Sequence, residues 1–103
     1  MPSSASNGGR YEVLCSTAIA QQIKDLQERA SAEGRGAQFL RALRSIARHL
    51  TYDPNNFGEP LYRLPALRTD VRVGVVLPLS IDFAVSEERQ VVFIKGVKLF
   101  RAP

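Results

Sequence analysis

The side chains best suited to chemistry in this sequence are its basic ones. Arg41, Arg44 and Arg48 recur at i, i+3 and i+7, which places three guanidiniums along one face of a helix as a cationic ridge. From Gly34 through Arg72 there are seven arginines (35, 41, 44, 48, 63, 68 and 72) against three acids (Asp53, Glu59 and Asp70), an excess of four that equals the +4 formal charge of the whole chain. A second group follows toward the C-terminal end: Arg89, Lys95, Lys98 and Arg101. Clustered cations attract phosphate backbones at long range, and a planar guanidinium can grip phosphate oxygens bidentately, which an ammonium cannot. Arg41, Arg44, Arg48, Arg63, Lys98 and Arg101 are therefore the nucleic-acid-binding candidates. The competing reading is a solvated helix face with ordinary surface charges.

Other chemistries find little support. His49 is the only histidine and Cys15 the only cysteine, so no zinc spacing and no intrachain disulfide can be written, and no metal is expected. His49 lies between Arg48 and Leu50 in a helical pattern with no nucleophile elbow. Cys15, inside a predicted strand, reads as a small buried hydrophobe. Gly34-Arg35-Gly36 lacks the spacing of a phosphate loop and reads as a turn between helices, so no nucleotide cofactor is expected. Asp53, Glu59, Asp70, Glu87 and Glu88 fall at predicted turns, where carboxylates serve turn geometry and solubility.

The elements that must position these residues follow from periodicity. Tyr11 to Cys15 is rich in strand formers, and Ser16 or Thr17 can cap the N–H groups of a following helix. Ile19, Ile23, Leu26 and Ala30 form one helical stripe, ended by Gly34 and Gly36. Phe39, Leu43, Ile46 and Leu50, with Leu40 and Ala47 beside them, form a second stripe that runs to the turn formers Asp53-Pro54-Asn55-Asn56. After Gly58 the period drops to two, with strands expected at Leu61–Leu67, Val71–Leu77, Leu79–Val85 and Gln90–Leu99, and Asp70 in the turn before the second of these. Leu79, Ile81, Phe83 and Val85 alternate with polar or small residues, as a strand with one covered face requires. Lys95 alternates with Val91, Phe93 and Val97 and is expected to interrupt an apolar face. Pro65 and Pro78, which lack an N–H, belong at strand ends, edges or bulges.

At 103 residues, with 45% of them hydrophobic, the chain suits one domain, here 11–101, preceded by a Ser/Gly/Asn-rich lead over 1–10 that is expected to be disordered. That lead lacks the apolar stretch of a signal peptide, and no run approaches the length of a membrane helix, so a cytoplasmic location without membrane contact is expected. The order, one strand, a helical hairpin and then three to four antiparallel strands, predicts an α+β domain whose helices cover one face of a sheet.

Two segments carry a resemblance. Asp53-Pro54-Asn55-Asn56-Phe57-Gly58-Glu59-Pro60-Leu61, followed by Arg68-Thr69-Asp70-Val71-Arg72-Val73-Gly74 with its Arg-x-Gly turn, resembles the RelE/ParE superfamily of bacterial toxins, in outline from Tyr11 to Leu99. The resemblance implies the same strand, helical hairpin and antiparallel sheet, and a toxin component of a toxin–antitoxin pair of the plasmid-stabilisation type. Its ribonuclease branch implies cleavage of messenger RNA on the ribosome, with Arg68, Arg72 and Lys95 as the catalytic candidates and Lys98 beside them. Ser80 stands where that branch carries a further strand arginine, and no Tyr or His follows the last strand. The alternative it implies is a gyrase-directed or otherwise non-catalytic member that binds protein or nucleic acid. An antitoxin whose acidic segment masks the basic surface is the implied partner.

Overall fold

A computed structural model describes residues 9–101; positions 1–8 of the lead read above as disordered lie outside them. Strand β1 (Glu12–Cys15) leads into helix α1 (Thr17–Ala32), whose first turn is capped by Ser16: the hydroxyl oxygen accepts from the Ile19 N–H at 3.1 Å. Leu26 and Ala30 are buried and Ile19 and Ile23 half-buried, as the stripe predicts. Gly34, at φ +75°, turns the chain into α2 (Gly36–Tyr52). The face α2 buries is Phe39, Ala42, Ile46 and Leu50, with Leu43 half-buried and Ala47 exposed, a small rotation from the predicted stripe. Arg41, Arg44 and Arg48 lie on its exposed side.

The sheet is β1-β5-β4-β3-β2, formed with β2 (Glu59–Leu64), β3 (Thr69–Val76), β4 (Leu79–Ser86) and β5 (Val91–Leu99). Strands β2 to β5 pair sequentially and antiparallel, and β1 joins the far edge parallel to β5. Both helices lie on one face. Central β4 turns Leu79, Ile81, Phe83 and Val85 toward them, all essentially inaccessible to solvent. On the other face a row of apolar residues crosses all five strands in register, Leu14–Phe93–Ala84–Val71–Tyr62; its ends are exposed and Ala84 and Val71 are buried.

Four expectations change. Strand β2 stops at Leu64, because Pro65 opens a 3₁₀ turn over Pro65–Leu67. Asp70 consequently lies within β3, paired in register with Arg63, and Arg72 to Gly74 is mid-strand, not a turn. Lys95 does not interrupt the buried face: the register slips between Asp82 and Phe83, leaving Lys95 as the extra residue of a β-bulge. The bulge reverses the alternation, so Val91 and Phe93 share one face while Val97 and Leu99 enter the core on the other. Cys15 is exposed, since it ends a four-residue edge strand and has little above it. Pro78 sits in the β3–β4 turn, where no ladder N–H is needed.

One side chain joins the helical layer to the sheet. Phe57, just past the 3₁₀ turn Pro54–Asn56, stacks between His49 of α2 (ring centroids 4.4 Å apart) and Phe83 of β4 (5.7 Å). Its ring lies over Gly74, where a Cβ would come within 2.3 Å of it. Gly58 adopts φ +72° with its Cα against the Val73 carbonyl, so a side chain there would meet both strain and backbone. Phe57→Ala is expected to cost about 3–5 kcal/mol, and Gly74→Ala about 1–3 kcal/mol by overpacking, both read from urea denaturation midpoints at unchanged slope.

Candidate functional site

The basic residues separate into those engaged within the fold and those left free. Arg72 is engaged: its Nε donates to the Phe57 carbonyl and its Nη2 to the Gly58 carbonyl, both at 3.0 Å, so its fork clips the linker that carries Phe57. Arg63 Nη1 is paired to Asp70 Oδ1 at 2.7 Å across β2 and β3. Arg68 follows the 3₁₀ turn in a left-handed conformation (φ 50°), exposed, with Glu88 Oε2 3.9 Å from its Nη1. Lys95 and Lys98 line a shallow depression of about 300 Å³ that also holds Asp82 and Ser80. Arg68, Arg72 and Lys95, the catalytic candidates, thus occupy three different settings.

Where the fold does gather cations is the end of the sheet beside the start of α2. A cleft of about 670 Å³ is lined by Arg35, Gln38 and Arg41, by Val76 at the end of β3 with Leu77 and Pro78 of the β3–β4 turn, and by Phe100 and Arg101 beyond β5. Two hydrogen bonds build its walls. The Phe100 N–H donates to the Pro78 carbonyl at 2.8 Å, and Arg35 Nη1 donates to the Phe100 carbonyl at 2.7 Å, so the segment after β5 is tied to both the turn and the helix. Arg35 is the interhelical residue of Gly34-Arg35-Gly36; nothing in its spacing linked it to a residue 65 positions on.

The charge around this cleft is unusual for the molecule. Its lining has no acidic residue, whereas the depression at Arg68, Arg89 and Phe93 contains Glu88, the one at Lys95 and Lys98 contains Asp82, and a neighbouring one at Arg29 and Arg101 contains Glu33. Glu33 is bonded to Arg35 through Nε at 3.1 Å and through Nη2. That hydrogen bond is the main cause holding the Glu33 carboxyl below its ordinary value; the charges of Arg35 and Arg29 add to it, against an opposing desolvation. Among the described residues Arg41, Arg44 and Arg48 form no ion pair.

No family model matches the chain, and neither a curated protein nor a solved structure matches it. Among the described residues, no group of three His, Cys, Asp or Glu side chains could hold a metal ion, and no helix is long and apolar enough to cross a membrane. What the coordinates establish is an α+β domain with two helices on one face of a five-stranded, mostly antiparallel sheet.

Two measurements follow from these contacts. Arg72→Ala leaves two carbonyls without their charged donor and is expected to lower stability by about 1.5–3 kcal/mol in denaturant titrations, whereas an arginine held only for phosphate would be stability-neutral. Because the Glu33 value is lowered in the folded protein, its stabilising contribution is complete above the ordinary glutamate value of 4.5 and is lost as pH falls through the lowered one. The Glu33 carboxyl resonance should titrate below 4.5 in the native protein and return toward 4.5 in Arg35→Ala.

Proposed function

We propose that this chain is a RelE/ParE-like toxin-type component of a toxin–antitoxin pair, working in the cytoplasm by binding an anionic macromolecule rather than by cutting RNA. The observation that carries the non-catalytic half of this reading is Arg72, whose planar fork is bonded to the carbonyls of Phe57 and Gly58 and so is not presented to a phosphate. With Arg72 committed, Arg68 and Lys95 stand apart on an αL turn and a bulge. Phosphoryl chemistry depends on donors pre-aimed at one developing charge, and these three are not aimed together.

The resemblance supports the toxin half, and its two segments touch in the fold. Phe57-Gly58 of the first is clipped by Arg72 and seated on Gly74 of the second. The exposed ridge of Arg41, Arg44 and Arg48 is the surface on which an acidic antitoxin segment, or the phosphates of an RNA target, would bind.

Tightly induced expression in a bacterial host, with total RNA from the same culture, tests both halves. Growth arrest with intact messenger RNA is the expected result, and arrest should be lost in Arg44→Glu/Arg48→Glu, which leaves the cleft at Arg35 untouched. Fragmented messenger RNA, abolished by Arg68→Ala/Lys95→Ala, would establish the endonuclease instead. Unimpaired growth with full soluble expression would remove the toxin reading.

A further inference from the structure

We propose that the cleft between the start of α2, the β3–β4 turn and the segment after β5 is a binding site for a nucleoside phosphate, either free or at the phosphorylated end of a strand. Two observations converge on that ligand class. The first is charge: Arg35, Arg41 and Arg101 line one cavity whose lining has no carboxylate. Arg35 is partly neutralised by Glu33, which also lines the adjoining depression with Arg101, while Arg41 forms no ion pair among the described residues. A phosphate monoester near neutral pH carries between one and two negative charges on three acceptor oxygens, which guanidiniums converging on one cleft can meet.

The second is the remainder of the lining. Ala42, Val76, Leu77, Pro78 and Phe100 offer apolar surface beside the guanidiniums; Phe100 is 41% exposed and Leu77 73% exposed, although both stand on well-anchored backbone. An aromatic ring and a proline next to arginines form a surface on which a base can stack while its phosphate is held, and Gln38 adds an amide at the rim. A volume of about 670 Å³ lies within the range of small-molecule sites.

Strand β4 is paired on both sides, whereas β3 is paired to β2 only as far as Val73, so Gly74 to Val76 have a strand neighbour on one side alone. The ligand class follows from the charge and the apolar lining. The proposal stands apart from the toxin-like reading, because the cleft needs neither Arg44 and Arg48 nor a cellular target.

Calorimetric titration of the full chain with adenosine 5′-monophosphate, adenosine and inorganic phosphate provides the test. One-to-one saturable binding of the nucleotide is expected, about tenfold or more tighter than phosphate or adenosine alone. Arg41→Ala/Arg101→Ala should weaken it by about tenfold or more, and Phe100→Ala should weaken the nucleotide while leaving phosphate unchanged. Arg44→Ala serves as the unaffected control, and all four sites are exposed, so circular dichroism should confirm an unchanged fold. A short 5′-phosphorylated oligonucleotide binding more tightly than the mononucleotide, with its 5′-hydroxyl counterpart not binding at this site, would identify a strand end as the source; equal affinity would identify the free nucleotide. The proposal is overturned by the absence of saturable binding, by phosphate binding as tightly as the nucleotide, or by full affinity in Arg41→Ala/Arg101→Ala.

Discussion

The seating of Phe57 on Gly74 is the contact through which the two layers of this domain are registered. The linker from α2 to β2 must turn sharply, cross from helix to sheet and deliver an edge strand whose residues are all exposed and so add little burial of their own. Phe57 supplies what β2 lacks, with one ring face against His49 and the other toward Phe83 at the centre of the sheet. That geometry forbids a side chain at Gly74 and demands a left-handed residue at Gly58, and Arg72 then satisfies the two carbonyls that the turn exposes. Four residues from two segments are thus one mechanical unit. Their identities are constrained by van der Waals contact and hydrogen-bond satisfaction before any functional demand is made of them.

This constraint divides the basic residues. An arginine whose fork is bonded to two main-chain carbonyls has its donors directed inward, and an arginine paired to a carboxylate has its charge largely cancelled. Arg72 and Arg63 belong to these two classes, and Arg35 sits between them, bonded to Glu33 and to the Phe100 carbonyl yet still facing a cleft. Two groups of arginines remain that face outward together. One is the exposed ridge of α2, the other the end of the sheet where Arg41 and Arg101 meet Arg35. Arg41 belongs to both, so the two surfaces are continuous around the start of the helix.

The α+β class, the helical hairpin, the Ser16 cap and the buried face of β4 were legible in the sequence, because each depends on local spacing: a 3.6-residue stripe, a hydroxyl before the first turn, an alternation of two. The exposure of Arg41, Arg44 and Arg48 was legible for the same reason. What local spacing could not carry was the bulge at Lys95, since a register slip depends on the partner strand as well as on the strand itself. Nor could it carry the parallel docking of β1 on β5, a contact between residues about 80 positions apart, or the exposure of Cys15 that follows from its place at the edge.

The sites show the same boundary more sharply. The sequence by itself determined which residues are cationic and which of them share a helix face. Phe57-Gly58 and Arg72-Val73-Gly74 stand in it only as parts of two segments that carry a resemblance. Only the tertiary structure decided what that pair does, because a guanidinium has the same charge whether it meets a phosphate or a carbonyl, and the difference lies in which acceptors folding brings within 3.0 Å. It likewise decided that Arg35, Arg41 and Arg101 are neighbours, through hydrogen bonds that tie Phe100 to Pro78 and Arg35 after the sheet has closed. Pattern along a chain encodes faces; the convergence of side chains from a helix start, a strand turn and the end of the last strand exists only once those faces have packed.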